Sequence, residues 1–211
     1  MIKVFFAASL LFVLSACNNE GKNPAEIKTM PDSNTIVKEP TPAAIINKDS
    51  LLIATGKEIL ALLKSKQYDS LEKYFSDSVH FSPYGFIGSG EQTLTAKDFT
   101  AALSTNKKMN WGSYDGSGDP INLTAKQYIE KFVYNADFLN AEKTGVDKFI
   151  ASGNSLNNLK EVYKNIRFIE YHFSGFEKKY AGMDWTSLRL VFREQNDRYY
   201  LVAVVHDQWT V

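Results

Sequence analysis

Residues 184–211 constrain the fold more than any other stretch of this chain. Asp184-Trp185-Thr186-Ser187-Leu188-Arg189-Leu190-Val191-Phe192-Arg193-Glu194 is followed by the polar Gln195-Asn196-Asp197 and then by Arg198 through Val211. Two apolar, β-branched runs flanking a short polar turn read as a hairpin. The second run contains Tyr199-Tyr200-Leu201-Val202-Ala203-Val204-Val205, the most apolar segment outside the N-terminus. A strand of that character belongs at the centre of a sheet, with the preceding helices closing over it.

The N-terminus carries the second strong signal. Met1-Ile2-Lys3 gives a short positive start, residues 4–14 are almost unbroken apolar sequence, and Leu14-Ser15-Ala16-Cys17 ends the run with small residues. The run is too short to cross a bilayer and reads as an export signal over residues 1–17. The four residues ending at Cys17 resemble the bacterial lipoprotein signal, which runs Leu or Val, a small residue, Ala or Gly, then Cys. The resemblance implies a diacylglycerol on the Cys17 sulfur and an acyl chain such as palmitate on the new amino terminus. Several chains at about 0.8 kcal/mol per buried CH₂ hold a protein durably on a membrane. The expected location is therefore the cell envelope, outer membrane or periplasm-facing, with the membrane a partner through the anchor. Cys17 is the only cysteine, so an internal disulfide and a multi-thiolate zinc site are excluded. Basic and acidic residues balance at 24 each with no basic stripe, which argues against a nucleic-acid partner.

Residues 18–46 hold Pro24, Pro31, Pro40 and Pro42 among Asn, Lys, Glu and Thr, without apolar periodicity. Such a segment cannot bury enough surface to offset its chain entropy and reads as a disordered tether. One domain, 47–211, follows. Asp49 or Ser50 is positioned to cap a helix carrying Leu51, Ile53, Ile59, Leu60 and Leu63, and Asp69 or Ser70 a shorter one with Leu71, Tyr74 and Phe75. Residues 79–87 read as a strand that Pro83 places at an edge or a bulge. Thr95 opens a helix to about Leu103, residues 107–114 read as a strand, and Asp115-Gly116-Ser117-Gly118-Asp119-Pro120 as a turn. Thr124-Ala125-Lys126-Gln127 is a capping box, and its helix puts Tyr128, Ile129, Phe132, Val133, Ala136 and Leu139 on one face. Residues 166–173 form a further strand. Helices first and consecutive strands last predict an α+β fold, its N-terminal helices packed on a curved, mainly antiparallel sheet.

The long helix, the short helix with Tyr68-Asp69-Ser70-Leu71-Glu72-Lys73-Tyr74-Phe75, and the strand after it resemble the start of the NTF2-like (cystatin-like α+β) fold. That resemblance implies a cone in which the sheet wraps the helices and a pocket lies at the open end. The fold hosts isomerases, dehydratases and many non-enzymatic binding modules, so it does not select an activity. Phe81-Ser82-Pro83-Tyr84, Trp111-Gly112-Ser113-Tyr114-Asp115-Gly116, Lys131-Phe132-Val133-Tyr134, Gly182-Met183-Asp184-Trp185 and His206-Asp207-Gln208-Trp209-Thr210 resemble a family of exported bacterial lipoproteins that brings no activity with it.

The candidate ligand-binding residues are Tyr84, Trp111, Tyr114, Asp115, Asp119, His206, Asp207 and Trp209, as hydrogen-bonding and stacking contacts. In a strand, His206 and Gln208 share one face and Asp207 and Trp209 the other, and the sequence leaves open which face points inward. His80, His172 and His206 have no local ligand spacing, and Asp115 to Lys126 departs from a calcium loop where Pro120 and Lys126 stand, so no metal and no cofactor are expected. Glu170 and His172 read as the solvated face of an edge strand. No Gly-x-Ser-x-Gly is present, so no catalytic residue is assigned. The expected function is a lipid-anchored binding or interaction module for a small molecule or envelope protein, with a homodimer allowed. The alternative is a small-molecule lyase, isomerase or hydrolase using Asp207 or His206 as its acid or base.

Overall fold

The computed structural model describes residues 47–88, 90–150 and 156–210. The readings on residues 1–46 (signal peptide, lipidated Cys17, tether) lie outside the described residues. Everything described belongs to one unit, Ala44–Val211.

The fold is α+β, built on an open six-stranded sheet. The first helix, α1 (Lys48–Lys64), starts two or three residues earlier than a cap at Asp49 or Ser50 would place it. Asn47 is the cap, its side-chain oxygen accepting from the Ser50 amide at 3.1 Å. Asp49, freed from capping, pairs with Arg167 at 2.6 Å. A 3₁₀ segment, Tyr68–Tyr74, leads into β1 (Phe75–Ser82) and then β2 (Gln92–Leu94). Helix α2 (Ala96–Leu103) is capped by Thr95, as its sequence predicts. A separate hairpin follows, β3 (Met109–Ser113) and β4 (Pro120–Leu123), β4 starting at the Pro120 that closes the expected turn and running on through residues to which the sequence assigns no element.

Thr124 and Gln127 form the expected reciprocal capping box of α3 (Ala125–Tyr128). The helix then widens into a π turn over Ile129–Val133 and ends, the Tyr134 amide reaching back to the Ile129 carbonyl at 2.8 Å. Ala136 and Leu139 therefore lie beyond the helix and not on its face. The chain continues as β5 (Lys143–Val146), a short α4 (Leu159–Val162), β6 (Arg167–Phe173), β7 (Thr186–Gln195) and β8 (Arg198–Gln208). With β2 and β4, β5 is the third strand that the sequence does not announce.

Strand order is β2-β1-β8-β7-β6-β5, so the apolar C-terminal strand is interior, as its composition requires. β1 and β8 run parallel and the other neighbours antiparallel, which makes the sheet mixed. β1 lies between β2 and β8, so Pro83 marks the end of an interior strand and not an edge. Asn196 and Asp197 both take positive φ, 51° and 54°, the geometry whose twist matches a two-residue hairpin.

Both faces of the sheet are covered. On the first, Phe75, Val79, Phe81, Ile169, Leu188, Leu190, Phe192, Leu201 and Val204 meet the helices in the main core. Helix α1 crosses β6 so closely that a Cβ on Gly56 would stand 2.3 Å from the Tyr171 hydroxyl. On the second face, Phe168, Val191, Val202, Ala203 and Val205 form a smaller core with Ile87 and Leu159 from the overlying loops. Asn158 ties those loops together, accepting from the Ile87 amide at 2.8 Å and donating to its carbonyl at 3.0 Å. Burial on both sides explains the unbroken apolar run 201–205, which alternation alone cannot orient. Among the described residues, no helix is long and apolar enough to cross a membrane.

Candidate functional site

The last turn of β8 splits the predicted site in two. His206 points into the helix-covered face and Asp207 into the loop-covered one, and both are buried. Near His206, rings gather around Phe132: His206 at 5.7 Å, Tyr84 at 5.9 Å and Tyr114 at 6.3 Å between centroids. Lys131 donates to the Tyr114 hydroxyl at 2.9 Å, and the Tyr84 phenol receives the backbone amide of Asp115. So Tyr84, Tyr114, Asp115 and His206 do converge. Asp119 remains exposed in the β3–β4 turn, where its carbonyl accepts from the Tyr114 amide at 2.8 Å.

Trp111 is not at this rim. It is wholly buried, stacked on Tyr128 at 4.0 Å, with its indole N–H on the Leu123 carbonyl at 2.9 Å. The amphipathic ring that suggested a stacking surface is spent on the core. Trp209 lies half-buried just beyond the end of β8.

The state of His206 follows from its partners. Nδ1 lies 3.0 Å from the Pro83 carbonyl, which can only accept, so Nδ1 carries the proton. Nε2 is then an acceptor, 3.3 Å from the Asn135 amide nitrogen and 3.0 Å from the Thr186 hydroxyl. Burial pushes its pKa down to about 4, so the ring is neutral at physiological pH. Each ring nitrogen is already engaged. Beneath this cluster the space among Ile59, Phe81, Phe99, Val133 and Val204 amounts to about 10 Å³, the room of a single water.

Asp207 belongs to a different assembly. On the loop-covered face, Arg189 lies 2.9 Å from Asp207 through Nη2 and 3.0 Å from Glu170 through Nε, all three side chains being essentially solvent-free. Glu170 also accepts from the Ser187 hydroxyl at 2.8 Å and the Ile150 amide at 3.1 Å. A Cβ on Gly85 would stand 2.6 Å from the Asp207 carboxylate, so glycine is what lets the 83–88 segment close over it. Phe149 caps the Arg189 guanidinium at 5.1 Å. His172 adjoins, its Nδ1 2.9 Å from Ser187 Oγ, with burial lowering its pKa. The expectation of a solvated edge pair at Glu170 and His172 is thus corrected: β5 covers the edge and β6 is interior.

His80 stands apart on β1, opposite Thr93 of β2, and reaches Glu91. Sequence reasoning missed Arg189, Ser187, Glu91 and Thr93. Arg189 left a signal, being a charge inside Leu188-Arg189-Leu190-Val191, which in a central strand must be paired. Glu91 and Thr93 left none, because their relation to His80 exists only once β1 and β2 are in register. Among the described residues, no group of three or more His, Cys, Asp or Glu is arranged to hold a metal ion. The chain matches no family model, no curated protein and no solved structure.

Proposed function

We propose that this chain is an exported, lipid-anchored protein of the bacterial cell envelope, with an NTF2-like domain that works as a binding or interaction module. The observation that argues against acid–base chemistry at the His206 cluster is the state of that ring: neutral, sealed and hydrogen-bonded at both nitrogens. A general base needs an open nitrogen, within reach of substrate, that titrates near the working pH. The rival assignment to Asp207 meets the same obstacle, since its carboxylate is committed to Arg189 on the opposite face of the sheet. What stays open at the rim is Tyr84, Tyr114 and Asp115, groups suited to stacking and hydrogen bonding. The NTF2-like reading is supported by helices packed on one face of an open mixed sheet. The anchor reading rests on Leu14-Ser15-Ala16-Cys17.

Two measurements test this. Cys17→Ser is expected to abolish incorporation of labelled palmitate and to release the protein from the membrane fraction; continued lipid labelling overturns the anchor. A thermal-shift screen of the chain against sugars, nucleotides and envelope fragments tests the module. A ligand at about 100 times its Kd adds about 2.7 kcal/mol. A hit that survives Tyr84→Ala and Tyr114→Ala unchanged moves the ligand away from this rim.

A further inference from the structure

A second site lies at the β1–β2 end of the loop-covered sheet face and goes beyond the reading above. His80 and Thr93 are direct cross-strand partners, and Thr93 Oγ1 lies 3.0 Å from His80 Nδ1. The other ring nitrogen, Nε2, lies 2.5 Å from Glu91 Oε2. Glu91 is held in turn by the Gly88 amide, 3.3 Å from its Oε1, with the Ser82 hydroxyl 3.2 Å away and shared with the nearer Tyr84 carbonyl at 2.8 Å.

The order of these bonds decides the chemistry. A carboxylate only accepts, so Nε2 carries the imidazole proton and a neutral ring offers the Nδ1 lone pair to the Thr93 hydroxyl. Exposure rises along the chain of bonds: the Glu91 side chain is 7% exposed, that of His80 16%, and Thr93 is open to solvent. A buried acid orienting a histidine that holds an exposed hydroxyl is the arrangement of an activated nucleophile. His80 and Thr93 open on a groove of about 270 Å³, whose walls include Asp77, Arg193, Ser76 and Tyr163. Neither Asp77 nor Arg193 has an ion-pair partner among the described residues, so the groove offers both charge signs to a polar guest.

We infer that Thr93 is a base-activated nucleophile that takes acyl groups from small polar esters bound in this groove. Thr93 Oγ attacks the ester carbonyl carbon while its proton passes to His80 Nδ1, and Glu91 holds the imidazolium. The bond from that carbon to the alcohol oxygen then breaks, and His80 returns the proton to the departing alcohol, leaving an ester on Thr93. Water attacks this ester with its proton going to His80, and Thr93 Oγ leaves carrying that proton. The sum is ester plus water giving acid plus alcohol.

The test uses the full chain in detergent carrying Cys17→Ser, which removes the only thiol. It is exposed briefly to 4-nitrophenyl acetate, and its peptides are mapped by mass. Acetyl is expected on Thr93, lost in Thr93→Val and kept in Thr93→Ser, with His80→Asn slowing acylation by about a hundredfold or more. Competition by a 4-nitrophenyl ester of a long apolar acid is expected to be weaker than by a short polar one. Absence of acetyl on Thr93, equal labelling in His80→Asn, or failure of the Thr93→Ser chain to label overturns the inference. The Ser variant keeps the hydroxyl and removes one surface methyl, so a folding defect in the Val variant does not leave the question open.

Discussion

One face of this sheet carries two trios of the same residue classes, a hydroxyl, an imidazole and a carboxylate, wired in opposite orders. At the open end, Glu91 holds His80 and His80 holds Thr93. At the sealed end the hydroxyl is in the middle: Ser187 donates to Glu170 at 2.8 Å, so its oxygen can only accept from His172 Nδ1–H. A hydroxyl whose proton is already committed to a carboxylate gains nothing from a neighbouring imidazole. Nor can solvent reach it, for Ser187 and Glu170 are fully buried. The same three chemistries give a poised hydroxyl in one place and a structural clamp in the other. Order and exposure make the difference, and a list of residue types does not contain either.

The largest effect separating the two ends should come from Arg189. Its guanidinium joins Glu170 to Asp207 with no solvent to take its place. Arg189→Ala leaves two carboxylates buried without their cation, a change that costs about 3–5 kcal/mol. Urea denaturation is the measurement, and a loss below about 1 kcal/mol would mean that the clamp is not structural. Ser187→Ala is the finer cut. It removes one donor from Glu170 and the acceptor of His172 while leaving the ion pairs, and about 1–3 kcal/mol of stability should go with it.

Acid provides a third separation. His206 is held neutral by burial, its pKa down at about 4 against 6.5 unfolded, and His172 shifts in the same direction. Between those values the unfolded chain binds more protons than the folded one, so stability is complete above about pH 6.5 and falls as pH drops toward 4. For His206 alone the loss at pH 5 is about 2 kcal/mol. His206→Gln should lower stability at neutral pH and flatten this acid limb; a limb of unchanged steepness would assign the protons elsewhere.

These contrasts also mark how far sequence reasoning reached. The hairpin, the Thr95 and Thr124 caps, the strand at 167–173 and the α+β class were legible because each rests on local chemistry: a turn, a capping box, an apolar run. β2, β4 and β5 were not, since three or four residues carry too little alternation to register. Tyr84, Tyr114 and His206 gather around Phe132 with Asp115 beside them, but Trp111 is core, and the residue types alone gave no way to know it. The inward direction at Asp207 was undecidable for a physical reason. A strand covered on both faces shows no polar side, and only the positions of the overlying loops distinguish one face from the other.

The smallest expected effect is the one that most sharpens the contrast between the ends. His80→Asn alters a largely buried pair on the short β1–β2 ladder, but the Asn amide can still donate to Glu91 and the Gly88 amide stays in place. Its cost in stability should stay at about 1 kcal/mol, that of one weakened hydrogen bond. If it instead unfolds the protein as Arg189→Ala is expected to, then Glu91, His80 and Thr93 form a second clamp, and the difference in wiring has no functional content. If stability holds while acylation of Thr93 collapses, the imidazole at the open end is kept for chemistry and not for packing. Measuring both quantities on one variant is what separates the two roles, because neither a folding defect nor a loss of reactivity alone can tell a base from a brace.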